Sequence, residues 1–148
     1  MAQPYEQLKL KNQLCFPLYA CARKIVGAYT PYLKPLGLTY TQYLVCMVLW
    51  EKEKVTVGEL GSFLDLDAGT LTPLLKKLEK EGYITRERSK DDERITVISL
   101  TQKGSDLKEE CKDIPFKIST ASNALSPSEA GELYNLLYKF LKEEDKEQ

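Results

Sequence analysis

Three short motifs, each with Thr or Ser followed three residues later by Gln or Glu, constrain this chain most strongly. In such a capping box, the hydroxyl of the first residue and the side chain of the fourth satisfy free amide groups at a helix N-terminus. The first motif predicts an apolar helix from Tyr43 to Trp50, and the second a short helix through Leu64. The three motifs are Thr39-Tyr40-Thr41-Gln42, Thr56-Val57-Gly58-Glu59 and Ser126-Pro127-Ser128-Glu129.

A further helix follows the second motif and ends at Gly82, a residue type that favours helix termination. Its start is open. Asp67 or Thr70 could cap it, but Thr72 followed by Pro73 is also a good cap, with proline at the first helical position. The helix is amphipathic: its apolar side carries Leu71, Leu74, Leu75 and Leu78, and Lys76, Lys77 and Lys80 lie largely elsewhere.

Two short strands are predicted after this helix, over residues 83–88 and 95–100. The segment between them, Ser89-Lys90-Asp91-Asp92-Glu93-Arg94, is entirely polar or charged and forms the tip of a hairpin. Helix, short helix, helix and charged hairpin is the order of a winged helix-turn-helix. In that motif the last helix enters the major groove of DNA and the hairpin, or wing, reaches the neighbouring minor groove. The predicted fold class is therefore mainly α with a small β-hairpin wing.

The first segment, from Leu8 to Tyr29, has the spacing of a helix with two stripes. Tyr19 lies one turn from Cys15 and can reach it. Tyr29 is about 21 Å from Cys15 along a straight helix, so it could serve Cys15 only from an antiparallel helix of a second subunit. Pro17 predicts a bend or a restart nearby. The packing stripe is Leu14, Leu18, Cys21 and Ile25, and the second stripe is Cys15, Tyr19, Ala22, Val26 and Tyr29.

The C-terminal third is predicted to form two amphipathic helices. Thr101 caps a long first helix, and Ser126 caps the last. Residues 143–147 form a short, mostly acidic tail. The apolar stripes are Leu107, Cys111, Ile114 and Ile118 in the first of these helices, and Leu133, Leu136, Leu137, Phe140 and Leu141 in the second.

Composition narrows the possible functions. The chain has 148 residues, 43% of them hydrophobic and 29% charged, which is typical of one soluble globular domain. Its net charge of −1 argues against a protein that coats nucleic acid without specificity, because that behaviour needs a strong positive field. With no apolar leader and no run long enough to span a bilayer, we expect a cytoplasmic protein.

Cysteine and histidine usage limits the chemistry. The four cysteines, Cys15, Cys21, Cys46 and Cys111, form no C-x-x-C pair, and the chain has no histidine. A structural zinc site and histidine-based acid–base catalysis are both disfavoured. We therefore predict no metal, no cofactor and no catalytic residue, and we assign Cys21, Cys46 and Cys111 to the core.

Three stretches carry a resemblance to a known family: Asn12-Gln13-Leu14-Cys15-Phe16, residues 37–44 and residues 66–76. With the Asp92-Glu93-Arg94 wing, the chain resembles the MarR family of dimeric transcription regulators, and within it the organic-hydroperoxide repressor (OhrR) subgroup. The resemblance implies one MarR-type domain over 1–148. Residues 1–36 and 101–148 would form dimerisation helices, and residues 37–100 the DNA-binding lobe.

The implied function is a homodimeric repressor that binds a pseudo-palindromic operator in double-stranded DNA and releases it when organic hydroperoxides oxidise Cys15. We place Arg94 in the minor groove, where narrow A·T-rich tracts favour arginine, with Asp92 holding its guanidinium. The predicted DNA contacts are Asp67, Thr70, Thr72, Lys76, Lys77, Arg86, Lys90, Asp92 and Arg94.

The resemblance also implies that tyrosine hydroxyls hold the reduced Cys15. Tyr19, Tyr29 and Tyr40 are the candidates. Some members of the family use a second cysteine late in the helix after the wing, where this chain has Ser119 and Thr120. We therefore favour a one-cysteine mechanism ending in a mixed disulfide with a low-molecular-weight thiol. Resolution of oxidised Cys15 by Cys111 or Cys21 stays a lesser alternative.

Three other functions stay open at this point. A regulator of the same family could respond to a small phenolic or apolar ligand bound between the dimerisation helices and the DNA-binding lobe, with Cys15 structural. A thiol peroxidase is disfavoured, because no positive group is evident near Cys15. A winged-helix protein-interaction module that does not bind DNA is the third.

Overall fold

The computed structural model describes residues 4–121 and 124–143. The chain divides into two compact units, one ending at Lys112 and the other beginning at Asp113. The described α-helices are α1 (Cys15–Leu33), α2 (Tyr40–Lys52), α3 (Val57–Leu64), α4 (Ala68–Lys80), α5 (Gln102–Cys111), α6 (Ile114–Ala121) and α7 (Pro127–Glu143), and the strands are β1 (Lys54–Thr56), β2 (Ile84–Arg88) and β3 (Thr96–Leu100).

The N-terminal segment differs from the predicted helix over residues 8–29. Two 3-10 turns, Glu6–Leu8 and Leu10–Asn12, precede α1, which begins only at Cys15. Pro17 is thus the third residue of α1, where a backbone N–H has no intrahelical partner to lose. The prediction of a helix from Leu8 was wrong, and the restart predicted near Pro17 is the helix start itself.

The first two helices of the helix-turn-helix, α2 and α3, follow the predicted capping residues Thr39 and Thr56. The Thr39 hydroxyl accepts from Gln42 N at 3.3 Å, and Gln42 Oε1 accepts from Thr39 N at 2.9 Å, which completes the capping box. Thr56 Oγ1 accepts from Glu59 N at 3.1 Å at the start of α3. Each bond satisfies an amide that the helix cannot pair itself.

The ambiguous start of α4 is resolved in favour of Asp67. Its Oδ1 accepts from Thr70 N at 2.7 Å, and α4 begins at Ala68. Pro73 lies inside the helix rather than at its first position. The proline removes the backbone bond to Gly69 O. Its neighbour Thr72 donates its hydroxyl to a different carbonyl, Ala68 O, at 2.7 Å.

The predicted hairpin is confirmed and belongs to a three-stranded antiparallel sheet in which β3 is central. Sequence reasoning missed β1, which pairs Val55 with Ile98 of β3. Three residues are too few to show the alternation that marks a strand. The strand β1 can therefore be recognised only from its pairing with β3.

Leucines of α2, α3 and α4 and branched residues of the sheet form the core of the first unit. Leu49, Leu60, Leu71 and Ile98 are fully buried. Cys46 and Cys111 are buried as predicted, whereas Cys21, also assigned to the core, is exposed. Helical spacing shows that residues share a face, but it does not show what covers that face.

The long helix predicted after Thr101 is wrong, because the structure has two helices, α5 and α6, with a break at residues 112–113. Pro115 explains the break, since it cannot donate to the Cys111 carbonyl and its ring crowds that oxygen. Thr101 caps α5 as predicted, with its hydroxyl accepting from Gly104 N at 3.1 Å.

The second unit contains α6 and α7. The predicted capping box at the start of α7 is present: Ser126 Oγ accepts from Glu129 N at 3.2 Å, and Glu129 Oε2 accepts from Ser126 N at 2.8 Å.

Residues 144–147 of the predicted tail lie outside the described residues. None of the described helices is long and apolar enough to cross a membrane. The apolar stripe of α7 is exposed along Leu133, Leu136, Leu137, Phe140 and Leu141.

Gly104 permits a close approach between α5 and the sheet. Its carbonyl accepts from Trp50 Nε1 at 2.9 Å, and a Cβ added here would collide with Tyr83 O and lie 2.7 Å from Leu100 Cδ1. Gly104→Ala should therefore lower the free energy of unfolding by about 1–3 kcal/mol, measured by urea denaturation. Gly58→Ala is the control, since only Thr56 Oγ1 lies near its added Cβ, at 3.9 Å. Equal stabilities of the two variants would contradict this packing.

Candidate nucleic-acid interface and thiol site

The solvent face of α4 carries several of the predicted DNA contacts. Thr70, Lys76 and Lys77 are exposed, whereas Leu71 and Leu75 of the same helix are buried. The fold thus turns the lysines outward by burying the leucines. Thr72 is half-buried with its proton committed to Ala68 O, so its hydroxyl oxygen is left to accept.

Asp67 has a defined local role at the start of α4. The amide and side chain of Thr70 hold the pKa of the Asp67 carboxyl below its usual range. The carboxylate is therefore ionised at neutral pH and occupies the N-terminus, where helix amides also favour phosphate. Its position identifies Asp67 as a cap, and its predicted role in DNA contact stays a prediction.

The wing places one arginine far into solvent. The side chain of Arg94 is 90% exposed, and the half-buried Asp92 holds it from behind. Asp92 Oδ1 accepts from Arg94 N at 3.0 Å and from Nε at 3.1 Å, while Oδ2 accepts from Nη2 at 3.1 Å. These bonds lower the pKa of Asp92. The predicted Asp92–Arg94 pair is present, and exposed Lys90 lies on the same tip.

Arg86, also among the predicted DNA contacts, is engaged within the protein. Its Nη2 donates to Glu79 Oε1 at 2.9 Å, and its backbone N donates to Glu79 Oε2 at 3.2 Å. The Arg86 side-chain hydrogen bond is the main cause that lowers the pKa of Glu79. Sequence reasoning missed Glu79, because a contact between α4 and β2 leaves no local spacing signal.

Cys15 is the first residue of α1 and is exposed. The unpaired amides at a helix N-terminus favour negative charge there. Tyr19, one turn later, is 61% exposed, and the guanidinium of Arg23 lies 5.5 Å from its ring centroid. Sequence reasoning overlooked this contact of Arg23 with Tyr19, although the two residues are one turn apart; Arg23 itself lies about 12 Å from Cys15 along the helix axis.

The other two predicted tyrosines meet in a cluster. The ring centroids of Tyr29 and Tyr40 lie 4.8 Å apart, and that of Tyr43 lies 5.7 Å from Tyr29. Burial raises the pKa of Tyr29 and Tyr40, and raises that of Tyr43 to about 12. All three phenols are protonated at neutral pH and can donate. Tyr43 was missed, although it lies one turn after Tyr40.

A pocket of about 420 Å³ adjoins this cluster. Its walls come from the C-terminal half of α1, the turn after it and the start of α2, with Tyr40 on one side. Lys34 and Lys77 supply its cationic groups, and Lys77 belongs to α4. The pocket is therefore lined both by α1, which carries Cys15, and by α4, the helix expected to enter DNA.

Three capped helices followed by a charged hairpin define this protein as a winged helix-turn-helix regulator. The family model for the transcriptional regulator SarA/Rot matches residues 28–111. The organic hydroperoxide resistance transcriptional regulator of Bacillus subtilis is 47% identical, over 95% of each chain. The regulator SarZ of Staphylococcus aureus is 43% identical, over 92% of this chain and 91% of its own.

The solved structures with similar folds are also DNA-binding regulators. Reduced AbfR bound to DNA has a TM-score of 0.77 at 39% identity, covering 93% of this chain and 96% of that one; AbfR is a protein of Staphylococcus epidermidis. A MarR variant of E. coli complexed with operator DNA has a TM-score of 0.78 at 25% identity, covering 86% and 93%. The chain belongs to the MarR family of transcriptional regulators, in its organic-hydroperoxide repressor subgroup. Its relatives are regulators rather than enzymes.

The Asp67 cap gives α4 an acid-sensitive start. A carboxylate whose pKa is lowered by folding stabilises the fold above its unfolded pKa, about 3.9, and loses that contribution as pH falls through the folded value. Asp67→Asn keeps an acceptor but not the charge. The stability of wild type relative to Asp67→Asn, measured by urea unfolding, should be constant above about pH 5 and decline below about pH 4.

Asp67→Ala provides the matched control, because it removes the acceptor as well as the charge. It should be less stable than both other proteins at neutral pH. A difference between wild type and Asp67→Asn that does not change with pH would contradict the charged cap.

Proposed function

We propose that this protein is a homodimeric, cytoplasmic repressor that binds a pseudo-palindromic operator when Cys15 is reduced and releases it when an organic hydroperoxide oxidises Cys15. The observation that carries the proposal is an exposed cysteine at the N-terminus of α1 in a chain with a complete winged helix-turn-helix. AbfR, a relative, has been crystallised on DNA in reduced and overoxidised forms, and also with a disulfide formed.

The chemistry begins with the Cys15 thiolate. Its sulfur attacks the terminal oxygen of the hydroperoxide, an S–O bond forms as the O–O bond breaks, and the alcohol leaves after taking a proton. Cys15 is now a sulfenic acid. The sulfur of a low-molecular-weight thiol then attacks the sulfenic acid sulfur, the S–O bond breaks with loss of water, and a mixed disulfide remains. Of the lesser resolving candidates, Cys111 is buried and its pKa is raised to about 11, which disfavours attack by its thiolate.

The tyrosine cluster would act on Cys15 of the other subunit. Tyr29 is fourteen residues from Cys15 on one continuous helix, about 21 Å away along its axis. An antiparallel partner α1 would bring the partner's Cys15 to Tyr29 and Tyr40, whose protonated hydroxyls can stabilise a thiolate. Tyr19 would complete the set from the helix of Cys15 itself.

Dimerisation would use residues 1–36 and 101–148, with 37–100 as the DNA-binding lobe. Exposed apolar side chains support this assignment in each unit, Ile25 and Val26 on α1 and Leu136 and Phe140 on α7. Adjacent exposed apolar side chains on a helix are typical of an interface. The lobe would insert α4 into the major groove and Arg94 into the minor groove.

Release follows from the position of the tyrosines. Tyr29 of α1 packs against Tyr40 of α2, and α2 in turn packs against α4. An added oxygen or thiol on Cys15 needs space that the tyrosines occupy, so their displacement would shift α2 and α4 together. Two α4 helices whose separation changes no longer match successive major grooves about 34–36 Å apart.

Cys15→Ser should abolish release without abolishing DNA binding. Reduced wild type and variant should bind equally to a duplex that the reduced protein has selected from randomised DNA. A stoichiometric organic hydroperoxide should release only the wild type, with the adduct on Cys15 shown by intact mass. Cys21→Ser is the control, because Cys21 is exposed on the same helix. It should respond like the wild type.

Release of Cys15→Ser by peroxide would remove Cys15 from the mechanism. Release of DNA by a small phenol in place of peroxide would favour the alternative of a ligand-sensing regulator. In that case the pocket beside Tyr40, with its cationic Lys34 and Lys77, becomes the sensing site.

Heterodimers test whether Tyr29 acts across the interface. In a dimer of one Cys15→Ser chain and one Tyr29→Phe chain, the only Cys15 faces an intact Tyr29 if the contact crosses subunits. Its oxidation rate, followed by mass spectrometry, should equal that of wild type. The Tyr29→Phe homodimer should react about 10-fold or more slowly, in the range expected for losing a hydrogen bond to a charged group. Slow oxidation in both would place Tyr29 in the same subunit as its cysteine.

A further inference from the structure

One ion pair joins the end of α4 to the first strand of the wing. Glu79 lies in the last turn of α4, and Arg86 is the third residue of β2. Both carboxylate oxygens of Glu79 bind Arg86, one through the guanidinium at 2.9 Å and the other through the backbone amide at 3.2 Å. A contact with the strand backbone fixes the position of β2 itself, not only that of a side chain.

The guanidinium of Arg86 is placed for this internal contact. Its side chain is 25% exposed, against 90% for Arg94, and its Nε is buried. Glu79 also offsets the charge of Arg86, which reduces attraction to a phosphate. Arg86 therefore has the geometry of a residue that holds the wing rather than one that reaches DNA.

The wing needs a contact that fixes its direction, because β2 and β3 extend away from the hydrophobic core towards the tip. At the height of Arg86, the opposite residue on β3 is Ile98, which is fully buried. Beyond this pair, Arg88 and Thr96 are the last residues paired in the ladder, and the tip with Arg94 follows. A small rotation of β2 at Arg86 becomes a larger displacement at Arg94.

We propose that Glu79 and Arg86 are positioning residues that set the wing relative to α4, so that Arg94 reaches the minor groove while α4 occupies the major groove. This inference rests on the proposed DNA binding. It assigns to Arg86 an indirect role in place of the direct contact that its sequence position suggests.

The test is a double-mutant cycle between Glu79 and Arg94, which do not share a hydrogen bond. The probe is a duplex selected from randomised DNA by the reduced protein. Arg94→Ala should weaken binding by wild type about 5- to 150-fold, the range for loss of a DNA-reading arginine. In a Glu79→Ala background the same change should cost less than about twofold, because the wing is already misplaced.

Glu79→Ala alone should also weaken binding. Loss of a negative charge by itself strengthens attraction to DNA, so a weaker complex has no simple electrostatic cause. Glu81→Ala is the matched control: it removes the same charge from an exposed site two residues later. It should leave affinity unchanged or raised, and Arg94→Ala should retain its full cost in that background.

Arg86→Met checks the same contact from the other side, and it should reproduce Glu79→Ala with no further loss in the double variant. Thermal unfolding of every variant identifies any loss of fold. If Glu79→Ala lowers the unfolding midpoint below the assay temperature, Glu79→Leu replaces it, since it keeps side-chain volume on α4 while removing both acceptors for Arg86.

The outcomes separate the inference from the proposed function. Equal costs of Arg94→Ala in the wild-type and Glu79→Ala backgrounds overturn the positioning role and leave the wing contact standing. Tighter binding by Glu79→Ala, with additive losses for Arg86→Met and Arg94→Ala, means that Arg86 contacts DNA directly. An Arg94→Ala variant that binds as well as wild type overturns both the wing contact and this inference.

Discussion

Burial of the leucine face of α4 is the interaction on which the rest of the winged helix-turn-helix depends. Leu71, Leu75 and Leu78 are almost completely removed from solvent. Because a helix has two opposite faces, this burial leaves Thr70 and the lysines in solvent. The Asp67 cap then sets where the exposed face begins. A basic surface in a protein of net charge −1 therefore arises from orientation rather than composition.

The same helix lies between the tyrosine cluster and the wing. Its apolar face packs against α2, and the start of α2 carries Tyr40 in contact with Tyr29 of α1. Its last turn holds the wing through Glu79. A displacement of the tyrosines and a displacement of the wing would therefore both act on α4. A helix packed against a close-packed interior transmits displacement, because such an interior has low compressibility.

Local chemistry in the sequence predicted a large part of this arrangement. Capping residues such as Thr39, Thr56 and Ser126 act on amides only two or three positions away, so their effect can be recognised without the fold. The Asp92–Arg94 pair in the wing is local in the same sense. Prediction failed where a contact was distant or a segment short, as with Glu79, the three-residue strand β1 and the exposure of Cys21.

The sequence by itself determined the helices, the hairpin, the amphipathic character of α4 and the presence of a cysteine near the start of α1. Each depends on backbone hydrogen bonds and side-chain spacing within a few residues. Only the tertiary structure decided that Tyr29 and Tyr40 meet, that Arg86 faces Glu79 and that Cys21 is exposed. Those outcomes depend on which surfaces pack together, and hydrophobic burial, which drives that packing, is not directional along the sequence.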